Sequence, residues 1–230
     1  MYFDWTYLVI VFPMLIISLI AQMKVQSTYQ KFSKIYARSG YTAEAAVRRI
    51  LDSNGLYHVQ ITRVSGNLTD HYDPQKQVIA LSDSVYGSTS VAAIGVAAHE
   101  AGHAVQHAEE YLPIRIRTAI VPITNFGSRL SMPLVLIGLL LGIYPLAYAG
   151  ILLFGTVALF QLVTLPTEFD ASRRALKTLG EGMYLSDDEL KGTKKVLSAA
   201  AATYLAALFV SLASLLRLLI IVNGGRGRRD

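Results

Sequence analysis

The sequence predicts a mainly α membrane protein, with about four transmembrane helices carrying a small α+β cytoplasmic unit. Hydrophobic residues make up 53% of the 230 residues and charged residues only 16%, against roughly 45–50% and about 25% in ordinary soluble domains. The charges are segregated and leave uncharged runs of membrane length. Between those runs lie polar segments with the capped amphipathic and alternating patterns of a folded unit. Cysteine is absent, which excludes disulfides and thiolate metal sites. Disorder, collagen and coiled coil are excluded by the same composition, and nothing in the charge pattern calls for a nucleic-acid partner.

Three uncharged runs locate the membrane: Trp5–Met23 with 19 residues, Leu130–Thr167 with 38, and Val196–Leu216 with 21. About 20 apolar residues cross a hydrocarbon core, so the first and last runs make one span each. The middle run would be about 57 Å long as one helix, nearly two bilayers. Tyr144-Pro145 near its centre predicts a fold-back into a hairpin, whose first arm reaches back through Arg129 towards Ile123. No basic residue precedes the first run and no small-residue cleavage site follows it, so it reads as an uncleaved anchor. The expected parts are a span over 1–23, a cytoplasmic part over 24–117, a hairpin over 118–165, a cytoplasmic helix over 166–195, a span over 196–222 and a basic tail over 223–230.

Ten lysines and arginines lie between Lys24 and Arg117, six between Arg173 and Lys195, and three at the tail, Arg226, Arg228 and Arg229. This distribution puts both large polar segments in the cytoplasm and the N-terminus outside. Four spans then place the basic tail outside, which the same rule disfavours, so the last run either crosses or is tilted, partial or re-entrant. Arg129 and Arg217 fall near or within the apolar runs and read as side chains reaching towards the headgroups.

In the polar part, Lys24–Arg38 reads as a helical extension of the first span. Thr42–Asn54 is an amphipathic helix with Thr42 as N-cap and Ala46, Val47, Ile50 and Leu51 on one face. Tyr57–Val64 alternates like a strand, Asp70–Pro74 reads as a loop, and Gln77–Leu81 is a second short strand, at an edge or in the interior. From Ser90 a small-residue helix runs into His99 and beyond.

His99-Glu100-Ala101-Gly102-His103 is the string that carries chemistry. On a helix, positions four apart share a face, so both imidazoles reach one metal ion, and two neutral imidazoles suit zinc. Glu100, on the adjacent edge, can take a proton from an attacking water and deliver it to the leaving amine. A chance match over a chain of this length is on the order of half a percent. Gly102 costs about 1 kcal/mol in a helix interior relative to Ala, and its expected return is close approach of a second element. A third protein ligand is needed. His107 lies on the same face, but eight residues of unbroken helix span about 12 Å, too far to converge with His99. A carboxylate from the stretch after the hairpin, Glu168 or Asp170, is the better candidate.

Four stretches together resemble the YugP-type bacterial membrane zinc metallopeptidases: Gly66-Asn67-Leu68-Thr69-Asp70-His71-Tyr72-Asp73-Pro74, Leu81-Ser82, Val96 to His107, and Pro166-Thr167-Glu168-Phe169-Asp170-Ala171-Ser172. The resemblance covers essentially the whole chain and implies a zinc-dependent peptidase in a bacterial cell (inner) membrane. More distantly, the chain is similar to the HtpX-like and CAAX-prenyl-protease metallopeptidases. In those a Glu on the post-hairpin helix is the third ligand, and an Asp four residues later orients a ligand histidine. Carried over, Glu168 is the ligand and Ser172 stands where the Asp would be. Helix phase adds to this. Glu168 and Asp170 diverge by about 200°, Ala171 and Ala175 give the Glu168 side the small residues for packing against Ala98–Ala104, and Asp170 has Arg173 and Arg174 as local ion-pair partners. His71 and Asp73 belong to the matched pattern. His71 is a candidate donor to the tetrahedral oxyanion, or else part of a loop held by Asx-type hydrogen bonds.

The expected function is an integral-membrane, gluzincin-like endopeptidase. It would hold one zinc ion through His99, His103 and Glu168, use Glu100 as general base with His71 as a possible helper, and act on membrane or membrane-proximal polypeptides. An intramembrane-cleaving protease is the first alternative, although the uncharged run between Asp83 and Glu100 is too short to span. A non-catalytic metal-binding scaffold is the second, although closed structural sites use four protein ligands.

Overall fold

The computed structural model describes residues 5–226 and is 74% helical. A π-helical turn, Tyr7–Val11, leads into α1 (Phe12–Phe32), followed by α2 (Ala43–Ser53), β1 (Gln60–Val64), β2 (His71–Asp73), β3 (Val78–Ser82), α3 (Val91–Ala108), α4 (Leu112–Leu141), α5 (Tyr144–Glu181) and α6 (Asp187–Arg226). Two compact units result. One comprises the chain up to Ala21, Ile116–Leu165 and the chain from Thr203; the other comprises Gln22–Arg115 and Pro166–Ala202. Helices α1, α4, α5 and α6 contribute residues to both. Of the expected basic tail, Arg228 and Arg229 lie outside the described residues.

Four helical stretches are long and apolar enough to cross a membrane: Tyr7–Phe32, Leu112–Leu141, Tyr144–Glu181 and Asp187–Gly225. In the first unit Val135, Ala147, Ile151, Leu218 and Val222 form a small buried cluster, while Phe126, Leu140, Leu152 and Phe209 face outward. Large apolar side chains facing outward on such helices suit a hydrocarbon surround. Arg217 stacks its guanidinium 5.3 Å from the Tyr7 ring centroid, a cation–π contact that offsets part of the cost of a charge there.

The hairpin turns earlier than the Tyr144-Pro145 pair suggests. Gly142, at φ +71°, ends α4: its N–H donates to the Leu139 carbonyl, and the Ile143 N–H donates to the Gly138 carbonyl at 2.8 Å. This is a Schellman close. Pro145 therefore sits in the first turn of α5, where a proline costs no hydrogen bond. The first arm also begins at Leu112 instead of near Ile123, with Pro122 and Pro133 inside it.

The second unit packs α2, a three-stranded sheet, α3 and parts of α1, α5 and α6 around one core that includes Val47, Leu51, Ile79, Leu81, Ile94 and Leu179. As expected, Thr42 caps α2 by accepting from the Ala45 N–H, and Ala46, Val47, Ile50 and Leu51 are buried. Ser90 caps α3 in the same way through the Ala93 N–H. Two expectations are corrected and one open alternative is resolved. The helix from the first span stops at Phe32, not Arg38, because the following segment is held by other backbone groups: Tyr36 bridges Ser90, and the Ala37 N–H donates to Thr89 O at 2.9 Å. The Asp70–Pro74 loop contains a strand, β2, which pairs antiparallel with β3. The strand expected at Gln77–Leu81, β3, is central in the order β1-β3-β2, with β1 parallel to it. It therefore cannot accept an added strand, and any such pairing would have to use the outer edge of β1 or β2.

Asp70 braces the sheet. Its carboxylate accepts from the Ser82 N–H at 2.7 Å and the Ser82 hydroxyl at 2.9 Å, while burial pushes its pKa up. Asp73 accepts from the Gln75 and Lys76 N–H groups, an Asx-type turn.

Gly102 lets α3 meet α5. A Cβ there would lie 2.8 Å from the Ala171 carbonyl oxygen and 3.2 Å from its Cα. Backbone atoms cannot swing aside as a side chain can. Gly102→Ala should destabilise the protein by about 1–3 kcal/mol, although a helical Gly→Ala change in open space normally gains about 1 kcal/mol. Gly155→Ala, with nothing within 4 Å of its new methyl, is the matched control. Thermal unfolding in detergent should show a lower midpoint for the first variant and not for the second. Equal midpoints would remove Gly102 as a packing requirement.

Candidate metal centre

Helix α3 presents His99 and His103 on one face, and α5 brings Glu168 to them. The His99 Nε2 lies 3.2 Å from a Glu168 carboxylate oxygen and the His103 Nε2 lies 3.5 Å from the same oxygen. The three ligand atoms all fall within 4.8 Å of one another. Two donors at about 2.0–2.1 Å from a tetrahedral ion are separated by about 3.3–3.4 Å, so the donor pairs bracket the spacing zinc needs. Glu168 is 3% exposed, and a buried carboxylate persists only when paired or bound to a metal. Two imidazoles and one carboxylate are the donor types of a zinc site with one position open.

A second layer fixes the rings. Gln106 is fully buried. Its amide Nε2 donates to the Thr167 carbonyl and to Asp170 Oδ2, each at 2.9 Å. Both donors being spent on acceptors, its Oε1 can only accept, and it lies 2.9 Å from His103 Nδ1. That nitrogen must then carry the proton, which leaves Nε2 as the ligand atom. Ser172 Oγ lies 3.1 Å from His99 Nδ1 and holds the orientation of that ring, although a hydroxyl, able to donate or accept, does not fix its tautomer. Ser172 thus contacts the histidine from the position where the distant relatives carry Asp. Gln106 was not singled out from the sequence. The available signal was a polar residue three positions after His103, close to the helix face that carries both histidines.

Asp170 faces away from the three-residue group. It pairs with Arg173 and, at 2.5 Å, with Arg174 Nε, the local partners that helix phase predicts. Arg174 also reaches Glu109 at 2.7 Å. His107 is outside the group as well, its ring 5.6 Å from that of Tyr72 on β2. Glu100 is half-buried, and its charge is felt at His103. Burial alone would lower the His103 pKa, but the hydrogen bond to Glu168 and the negative charges of Glu100 and Glu168 outweigh it and raise the value above that of an ordinary histidine. His71 is exposed on β2, and its Nδ1 lies 2.9 Å from the Thr69 carbonyl.

Four membrane-length helices and a buried two-histidine, one-carboxylate donor set define a membrane protein equipped for a zinc-type ion. Residues 7–223 match the family described as "Putative neutral zinc metallopeptidase", and the chain belongs to that family. It is 49% identical to the "Putative membrane protease YugP" of Bacillus subtilis over 206 residues, which is 90% of this chain and 92% of that protein. No solved structure matches the chain.

Because Gln106 sets the His103 tautomer, Gln106→Leu should weaken zinc affinity about 10–100-fold with the helix content retained. Competition against a chromophoric chelator measures this. Unchanged affinity would remove Gln106 from the centre.

Proposed function

We propose that the protein is an integral-membrane zinc endopeptidase with a zincin-like catalytic part. The observation that carries this reading is the convergence of His99, His103 and Glu168 at zinc spacing, with Glu100 on the same helix. In this reading His99, His103 and Glu168 are the protein ligands of one zinc ion. When bound, that ion supplies Lewis-acid polarisation of the scissile carbonyl and lowers the pKa of water. Glu100 accepts the proton of the attacking water and passes it to the amine nitrogen as the peptide bond breaks. Gln106 and Ser172 hold the imidazoles in register, and Asp170 orients Gln106.

His71 is the candidate donor to the oxyanion, under one condition. The Thr69 carbonyl only accepts, so the hydrogen bond at Nδ1 requires a proton there. A neutral His71 then has an accepting Nε2, and only the protonated ring can donate from it.

The catalytic part is assigned to 24–117 with the third ligand from 166–195. It faces the cytoplasm of a bacterial cell, with spans over 1–23, 118–165 and 196–222. The sixteen-to-three distribution of basic residues supports this orientation. Substrates are polypeptides at or near the membrane surface.

Glu100→Gln should keep zinc and lower the rate of peptide hydrolysis about 10²–10⁴-fold, whereas Glu168→Ala should lose zinc on dialysis. Metal analysis beside a proteolysis assay on purified protein reads both. Near-wild-type turnover in the Gln variant would exclude Glu100 as the base, and zinc without any proteolysis in the wild type would favour a non-catalytic scaffold.

The raised His103 pKa sets the pH dependence of loading. Below that pKa the metal-free site holds a proton that zinc must displace; above it no proton is displaced. Zinc affinity should therefore fall about tenfold per pH unit per displaced proton as pH drops through that pKa, and level off above it. Chelator competition between about pH 5.5 and 8.5 tests the sign, and affinity that rises towards acid pH would contradict it.

A further inference from the structure

Away from the metal centre, α1 and α6 enclose a groove of about 640 Å³. Its walls are basic. Lys24, Thr28 and Lys31 follow one face of α1, and Lys191, Lys194 and Lys195 follow one face of α6. Its floor is apolar, formed by Phe32 and by Ala199 and Ala202 further along α6. Lys191 pairs with Asp188 at 2.9 Å. Among the described residues no carboxylate lies in ion-pair range of Lys24, Lys31, Lys194 or Lys195, and all four are exposed. Four unpaired lysines lining one groove give it a positive potential that favours an anion.

The sequence says which anion. Lys24 is the first charge after the uncharged run Trp5–Met23, and Lys195 is the last before Val196–Leu216. The lysines thus mark the level at which both helices leave or enter apolar surroundings, where lipid headgroups lie. Ala199 and Ala202 continue the floor past that level, as a path for an acyl chain. At the other end the groove is closed where Phe32 meets Gly192, whose added Cβ would lie 2.8 Å from the Phe32 ring.

We propose that this groove is a binding site for an anionic phospholipid, with the headgroup phosphate held among Lys24, Lys31, Lys194 and Lys195 and an acyl chain along Ala199 and Ala202. Thr193, beside these lysines, packs on Gly95 of α3 and donates its hydroxyl to the Val91 carbonyl at 3.2 Å. The lipid site requires only that α1 and α6 enter a membrane, and it is independent of peptide hydrolysis.

The test uses the full chain in neutral detergent and reads thermal stabilisation as a function of added ligand. Phosphatidylglycerol should raise the unfolding midpoint, whereas phosphatidylcholine, inorganic phosphate and a polyglutamate peptide should not. The triple variant Lys24→Gln, Lys31→Gln, Lys194→Gln should need roughly a hundredfold more phosphatidylglycerol for half-maximal effect, about fivefold per lysine. The corresponding three Lys→Arg changes should restore the response. Lys34→Gln, Lys76→Gln, Lys177→Gln, an equal loss of charge outside the groove, should leave it within about twofold of the wild type. Equal losses in the two Gln variants would overturn the site as a bulk charge effect. Stabilisation by phosphate alone, or by polyglutamate without phosphatidylglycerol, would overturn it as a lipid site.

Discussion

The contact between the Gly102 backbone and the Ala171 carbonyl is the constraint on which the metal centre depends. Packed helices ordinarily keep their axes 8–10 Å apart, set by the side chains between them. Here there is no side chain at the crossing on α3 and only a methyl on α5. Glu168 precedes Ala171 by three residues and Ser172 follows it by one, so the crossing delivers a carboxylate and a ring-holding hydroxyl to the histidines together. Were the helices pushed apart by the width of a methyl group, Glu168 would face two imidazoles beyond the reach of a shared ion, and a buried carboxylate would be left uncompensated.

The second layer solves an electrostatic difficulty. A ligand histidine is held best by an acceptor at its remote nitrogen, and a carboxylate is the strongest such acceptor. Asp170 faces away from the histidines, engaged by Arg173, Arg174 and the Gln106 amide. Gln106 stands between Asp170 and His103. It takes the orienting influence of Asp170 and presents a neutral oxygen to His103, so no further negative charge is placed against an imidazole that already sits beside Glu100 and Glu168. The two arginines balance Asp170 on the side away from the histidines, which confines the uncompensated charge to the residues that would meet the metal.

What could be read from the sequence was what local chemistry decides. Thr42 and Ser90 cap their helices through residues three positions on, and the burial of Val47 and Ile50 follows from a 3.6-residue period. His99 and His103 are four apart on a continuous helix, so their common face needed no knowledge of the fold. What could not be read depends on partners distant in the chain. β2 is three residues long, and Asp-His-Tyr-Asp-Pro has the composition of a loop until β3 offers it a ladder. Whether β3 is central or at an edge is settled by β1 and β2 together. Gln106 looks like a stray amide until Thr167 and Asp170, some sixty residues later, account for both its donors. The proline of the hairpin was informative but read at the wrong point: it starts α5, while the break belongs to Gly142, the residue able to take a positive φ.

These features meet on a single stripe of α3. Gly95, His99, Gly102, His103 and Gln106 are spaced by 4, 3, 1 and 3 residues, which confines them to about a third of the helix circumference. Along this stripe the glycines act as spacers of zero thickness, Gly95 against Thr193 of α6 and Gly102 against Ala171 of α5. The longer side chains between and beyond them fill the space the crossings leave. The small residues at 95 and 102 and the histidines at 99 and 103 are therefore one pattern read at two levels. The glycines set how closely the neighbouring helices come, and that distance decides whether a carboxylate from α5 completes the histidine pair. A Cβ added at Gly95 would lie 2.4 Å from Thr193 Cγ2, so the contact between α3 and α6 would have to give way. On this account the helix interior gives up the stability that alanine would provide at two positions in exchange for the placement of one carboxylate.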